Sequence, residues 1–192
     1  MTQLVFASSN AHKIEEVSAI LGNSIELIGL DQIGIHHELI EDADTLEGNA
    51  RRKAWQVWEW SGKNCFADDT GLEVEALNGA PGVYSARFAG PQRNNADNRA
   101  RLLRELDGKT NRGARFRTVF CLILDGREFL FEGTVEGAIL TEERGSGGFG
   151  YDALFCPEGS ERSFAEMTPE EKNALSHRAR AAEKMAEFLK KG

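Results

Sequence analysis

At 192 residues, with 41% apolar and 28% charged side chains, the chain can bury the core of one sizeable globular domain, and its composition is that of an ordinary soluble protein. Its 31 acidic residues against 23 basic ones give a net charge of −8; such a surface repels polyanions and excludes nucleic acid as the main partner. A local basic pocket can still hold a small anion. The opening MTQLVFASSNAHK has no basic flank and only a four-residue apolar run, and later runs such as CLIL are strand-sized, so neither a signal peptide nor a membrane association is expected. Three scattered cysteines (65, 121 and 156), none in C-x-x-C spacing, suit a reduced, cytoplasmic protein.

Gln3–Ala7 reads as a buried strand. Asn10 can cap a helix from Ala11 to Leu21, with Ile14, Val17, Ile20 and Leu21 on one face. Ile25–Leu30 reads as a second strand, followed by an acidic loop from Asp31 to Asp44. Asp44 and Glu47 resemble a capping box for a helix running to Ser61, with Ala50, Ala54, Val57 and Trp58 inward. Asn64–Ala67 reads as a short strand that stops at Asp68-Asp69-Thr70-Gly71, and Leu72–Ala76 as its continuation. A helix over Asn94–Leu106 follows. Arg115–Leu124 and Arg127–Thr134 make a hairpin around Asp125-Gly126. Thr168-Pro-Glu-Glu171 is a helix start, and one last helix is expected from Asn173 to Lys190, with Leu175, Ala179, Ala182, Met185 and Leu189 on one face. A βαβ opening, then antiparallel strands, then a helix points to an α/β protein with a mixed sheet. No composition shift marks a linker, so residues 1–192 are read as one domain with two lobes.

Several stretches carry candidate chemistry. Ser8-Ser9-Asn10-Ala11-His12-Lys13 lies between a strand and a helix, where free N–H groups attract anions; ordinary capping by Asn10 is the alternative. The pair Asp68-Asp69 offers hard oxygen ligands for Mg²⁺ or a base toward water, against an Asx turn. The acidic loop, Glu41 included, adds a ligand or is solvated surface. Gly145–Gly150 satisfies G-x-G-x-x-G, but no buried strand precedes it and no helix follows, so a dinucleotide turn is not expected. Phe149 and Tyr151 sit among those glycines, where rings would be exposed unless something stacks on them. Lys172, His177 and Arg178 gather near a helix start, against its dipole; this fits solvent exposure or a nearby anion. Lys53 reads either as a surface lysine or as one more donor. Zinc ligand spacing and a G-x-S-x-G elbow are both lacking. Taken together, the cationic donors, carboxylates and ring-holding loop describe a nucleoside polyphosphate site.

Seven blocks in order then carry a resemblance: Ser8-x-Asn10-x-x-Lys13; Asn49-Ala50-x-x-Lys53-Ala54; Ala67-Asp68-Asp69-Thr70-Gly71-Leu72; Gly79-Ala80-Pro81-Gly82-Val83-Tyr84-Ser85-Ala86-Arg87; Gly147-Gly148-Phe149-Gly150-Tyr151-Asp152; Glu171-Lys172-Asn173; and Ser176-His177-Arg178. The chain resembles the inosine triphosphate pyrophosphatase family over nearly its whole length. The resemblance implies a two-lobed α/β fold, with a long mixed sheet flanked by helices and a central cleft. It implies hydrolysis of ITP, dITP and XTP to the monophosphate and pyrophosphate with Mg²⁺, in a homodimer. By the same resemblance, Asp69 is the proton acceptor and, with Glu41, a metal ligand. Ser8, Ser9, Asn10, Ala11, His12, Lys13, Lys53 and Thr70 hold phosphates and sugar. Phe149, Gly150, Tyr151, Asp152, Lys172, His177 and Arg178 form the base pocket and its edge. The chain departs from the family pattern at Ser9 and Gly48, where the family more often has Gly and Glu, and at Ala153, where Pro is usual.

Overall fold

The computed structural model describes residues 2–22 and 25–191. The chain runs through β1 (Thr2–Phe6), α1 (Ala11–Leu21), β2 (Ile25–Ile28) and α2 (Leu46–Ser61). It continues with β3 (Cys65–Val74), β4 (Pro81–Gly82), α3 (Asn95–Glu105), β5 (Gly113–Leu124) and β6 (Arg127–Ile139). It ends with β7 (Phe155–Pro157), α4 (Pro169–Asn173) and α5 (His177–Lys191). The described residues form one mixed seven-stranded sheet in the order β2-β1-β3-β5-β6-β7, with β4 paired to β3. β1 runs parallel to β2 and β3, whereas β4 and β7 are antiparallel to their partners. Two compact units divide the chain. One takes residues from 1–69, 118–133 and 177–192, the other from 70–117 and 134–176.

In the first unit, the apolar stripe of α1 and that of α5 close over Leu4, Phe6, Phe66 and Phe120. Phe6 and Phe66 stack with ring centres 4.5 Å apart. Asn10 caps α1 as expected, accepting a hydrogen bond from the Lys13 N–H. The cap of α2 differs from expectation. Thr45, not Asp44, is extended and accepts from the Gly48 N–H at 3.0 Å, so the helix starts at Leu46. Its third residue is then Gly48, which has no carboxylate to return the bond, and no capping box forms. A side chain there would meet the Ala43 Cβ at 2.7 Å; glycine lets the acidic loop fold back on the first turn. The β5–β6 turn has Asp125 at φ 50° and Gly126 at φ 74°, the two left-handed residues that a two-residue hairpin requires.

In the second unit, Leu72, Val74, Leu102, Leu106, Phe116 and Phe155 gather into a separate core. The break expected at Asp68-Asp69-Thr70-Gly71 is absent, and β3 runs straight through it as a ten-residue strand. Turn-forming residues stay extended here because cations meet the carboxylates and because Gly71 brings β3 close to β4. An added Cβ at Gly71 would lie 2.5 Å from the Gly82 carbonyl oxygen. The single last helix expected from Asn173 is instead two. The Lys172 carbonyl accepts from both Leu175 and Ser176 N–H groups, which closes α4. Leu175 packs with the second core, while Ala179, Ala182 and Met185 are buried residues of α5.

Gly71→Ala is expected to destabilise the fold by about 1–3 kcal/mol, because the methyl group overpacks against backbone that cannot yield cheaply. A urea midpoint equal to that of the wild type would contradict the close β3–β4 approach.

Candidate active site

Successive residues of a strand face opposite ways, and β3 uses this to give two adjacent carboxylates different company. Asp68 is fully buried. Lys13, in the first turn of α1, places its Nζ 3.1 and 3.0 Å from the two Asp68 oxygens. Arg178, in the first turn of α5 and also buried, lies 3.5 Å from Asp68 Oδ2 and pairs with Glu16 of α1. Burial alone would raise the Asp68 pKa; Lys13, Arg178 and Lys53 outweigh it and hold the carboxyl down at about 2. The same burial lowers the Lys13 pKa, against the attraction of Asp68.

Asp69 receives less help. The Asn49 side chain of α2 donates to its Oδ2 at 3.0 Å, and Lys53 Nζ is 3.7 Å from its Oδ1. Burial raises its pKa, and the pull of Lys53 and Lys13 does not cancel that rise. Lys53 is itself buried. It donates to the Asp68 carbonyl at 2.6 Å and lies 3.1 Å from Glu41 Oε2. Burial opposes its charge, but Asp69, Asp68 and Glu41 together raise its pKa. Helical periodicity left Lys53 open; its place is inside, converged on by two carboxylates.

Among the described residues, no group of three or more His, Cys, Asp or Glu could hold a metal ion alone. Glu41 and Asp69 nevertheless point oxygens at one cationic centre, now the Lys53 ammonium. Two carboxylates are what a Mg²⁺ site commonly draws from protein, with phosphate oxygens and water completing the shell. The donor set therefore fits a hard divalent ion that arrives with a phosphorylated ligand.

The other expected residues lie as follows. Ser8 is half-buried, while Ser9, Asn10, Ala11 and His12 are exposed at the mouth of α1, and the Ser8 hydroxyl accepts from the Asn10 N–H. Thr70 follows Asp69 within β3 and is half-buried. His177 is buried at the first position of α5. It fits against β6 because Gly133 has no side chain: a Cβ there would overlap the His177 carbonyl.

In the second unit, the glycine-rich stretch forms turns rather than a strand–helix junction. Asp152 Oδ2 accepts from the Phe149 N–H at 3.0 Å and from Lys172 Nζ at 2.7 Å. Gly148, at φ 65°, has no room for a side chain beside that carboxylate. The Lys172 ammonium stands 5.0 Å from the Phe149 ring centre and 5.7 Å from that of Phe164, in the range of cation–π attraction. Phe149 is half-buried. Tyr151 differs from expectation: its ring is buried in the second core and its hydroxyl donates to the Ser85 carbonyl at 2.6 Å. Gly150 is half-buried beside it.

Three contributors were given no role from the sequence, although Asn49 opens one of the resemblance blocks. Asn49 bridges the centre, since its Oδ1 also accepts from the Ala43 N–H at 2.9 Å and so ties the Glu41 loop to Asp69. Glu16 anchors Arg178, and Phe164 lies on Lys172. The buried position of Asn49, on the same face of α2 as Ala50, Lys53 and Ala54, is the one signal periodicity could have supplied.

These features define an α/β protein whose mixed sheet carries a buried carboxylate pair met by lysines from two helices. The family comparison is more specific. The Ham1 family model matches residues 4–188, and the chain belongs to the Ham1 family. It is 51% identical over 188 residues to a dITP/XTP pyrophosphatase of Flavobacterium psychrophilum, covering 98% of this chain and 99% of that one. It is 52% identical to a dITP/XTP pyrophosphatase of Porphyromonas gingivalis, covering 98% of each chain. A Ham1 protein structure from Coxiella burnetii superposes with a TM-score of 0.91 at 35% identity, covering 100% of both chains.

Asp68 has a depressed folded-state pKa, so its ion pairs stabilise fully above the unfolded-state value of about 3.9 and are lost as pH falls toward about 2. Asp68→Asn is therefore expected to unfold more easily at pH 7, with the gap to wild type narrowing below pH ~4. A gap independent of pH, in thermal unfolding between pH 7 and pH 3, would contradict the assignment.

Proposed function

We propose that this chain is a nucleoside triphosphate pyrophosphatase. It hydrolyses the non-standard purine nucleotides ITP, dITP and XTP to the monophosphate and pyrophosphate, and so removes them from the nucleotide pool. The names of its Ham1 relatives support the reaction. The observation that carries the residue roles is the opposite shift of two neighbouring carboxyls: Asp68 is held down, Asp69 is raised. Environments that push two titratable groups apart divide roles between them. Asp68 stays an anion that orients Lys13; Asp69 is the base.

In the reaction, Asp69 takes a proton from water as the water oxygen bonds to phosphorus. The bond from that phosphorus to the bridging oxygen breaks, and pyrophosphate leaves. Such a displacement needs placement and charge neutralisation more than covalent chemistry. Lys13, Lys53 and the N–H groups at the mouth of α1, with Ser8, Ser9, Asn10, Ala11 and His12, hold the phosphates; Thr70 adds a hydroxyl. Glu41 and Asp69 would hold Mg²⁺, which when bound supplies positive charge for the phosphate oxygens. The Phe149 ring stacks on the purine, with Gly150, Tyr151 and Asp152 giving the loop its shape. Lys172, His177 and Arg178 complete the base edge. Inosine and xanthosine carry a 6-oxo group where adenosine carries an amine, so donors aimed there favour the former. The working form is a homodimer, as the resemblance to inosine triphosphate pyrophosphatases implies, and a cytoplasmic one, as its scattered cysteines suit.

A substrate panel with pyrophosphate detection tests this. Release from ITP, dITP and XTP with Mg²⁺ is expected, and release from ATP lower by on the order of a hundredfold or more. Binding of ITP without pyrophosphate release would overturn the reading in favour of a nucleotide-binding module. Asp69→Asn is expected to keep the fold and to lose about 10²–10⁴ in kcat. Because an ionised base is needed and its pKa is raised, wild-type kcat/KM should fall on acidification at a pH above the usual carboxylate range. An Asp69→Asn enzyme with near-normal turnover would remove Asp69 from the mechanism.

A further inference from the structure

Gly148 and Gly150 both stand at positive φ, 65° and 61°, and glycine-rich backbone is costly to order. A loop that reads one purine against another must nevertheless present its donors in one direction. Phe149 is fixed through Asp152, and the Gly147 N–H through the Ala165 carbonyl. The Gly150 carbonyl is held from outside the loop. Arg99, on α3, donates from Nη1 to Gly150 O at 2.9 Å, and its Nε lies 2.9 Å from Glu143 Oε1. Arg99 stands on a firm base. Its neighbour Asn98 is buried, accepts from the Ala89 N–H and donates to the Ala86 carbonyl, and Leu102 one turn on is in the core.

In a trans peptide the C=O and N–H point in opposite directions. A guanidinium that grips the Gly150 carbonyl therefore turns the Tyr151 N–H away from α3 and keeps it there. We propose that Arg99, anchored by Glu143, is a positioning residue for purine selectivity: it fixes the Gly150–Tyr151 peptide and with it a backbone donor of the purine loop. The inference rests on reading residues 149–152 as that loop. A fixed donor favours purines with an acceptor at the 6 position and disfavours those with an amine there. Arg suits the task because its planar fork can hold a carbonyl and a carboxylate at once, which an ammonium does less well.

The test is steady-state kinetics of the full chain on ITP and ATP, with thermal unfolding alongside. Arg99→Leu is expected to raise KM for ITP about fivefold or more, as fits loss of a charge-assisted hydrogen bond. It should leave kcat within about twofold and narrow the ITP-to-ATP preference. Arg99→Lys, which keeps one donor, should restore most of KM. An Arg99→Leu enzyme with wild-type KM and preference overturns the inference. So does one that loses kcat and thermal stability together at an unchanged preference, since that is a structural role. If Arg99→Leu does not fold, Glu143→Gln decides. A KM about twofold higher at low salt that converges with wild type at high salt supports the anchor, and no difference at low salt overturns it. A wild type inert toward ITP strikes the proposed function itself. An active wild type with an indifferent Arg99→Leu strikes only this inference.

Discussion

A fully buried, charged carboxylate in the middle of a sheet is the constraint from which the rest of the first unit follows. Asp68 cannot sit there as an anion without cations brought to it. They arrive from separate places: Lys13 from the start of α1, Arg178 from the start of α5, and Lys53 from the middle of α2. Each of those helices must therefore be placed so that one long side chain reaches β3. The Asn10 cap sets where α1 begins, and Gly133 clears the backbone space in which α5 begins. Removing one member of such a cluster costs more than the lost pair, because the charge left behind remains buried.

The second unit solves a different problem with little net charge at stake. Its loop needs glycines at positive φ and close approach, so order has to come from neighbours. Asp152 draws together the Phe149 N–H and the Lys172 ammonium. The Lys172 ammonium in turn stands over the Phe149 and Phe164 rings, so an ionic contact and two aromatic faces stiffen the same few residues. Tyr151 adds a core ring whose hydroxyl reaches Ser85. The result is a flexible composition held in one shape.

Local chemistry was legible in the sequence where it acts locally. Asn10 caps its helix, Thr168-Pro-Glu-Glu171 starts another, and Asp125-Gly126 turns its hairpin, because each needs only neighbours within a few positions. Asp68-Asp69-Thr70-Gly71 misled for the same reason. Its residues favour turns on their own, and what keeps them extended is cations supplied by helices elsewhere in the chain. Lys53 follows two surface arginines, and its burial depends on a carbonyl and carboxylates that spacing within α2 cannot reveal. Tyr151 finds its acceptor 66 positions away, and the last helix breaks where Leu175 and Ala182 belong to different cores. The seven-block resemblance pointed to the family; the buried pairings that give its residues their protonation states came only with the fold.

Glu16 and Arg178 meet across 162 positions of chain, and this separation bears on how the protein comes into being. Closing so long a loop is entropically slow, and chains dominated by such contacts fold late rather than early. While α5 is still unmade, Asp68 lacks one of its compensating charges, and a chain elongating from its N-terminus has α1 and β3 in hand well before Arg178. The centre is thus completed by its most distant contributor. A fragment that stops short of α5 has its carboxylates, but not the charge balance that lets one of them be buried.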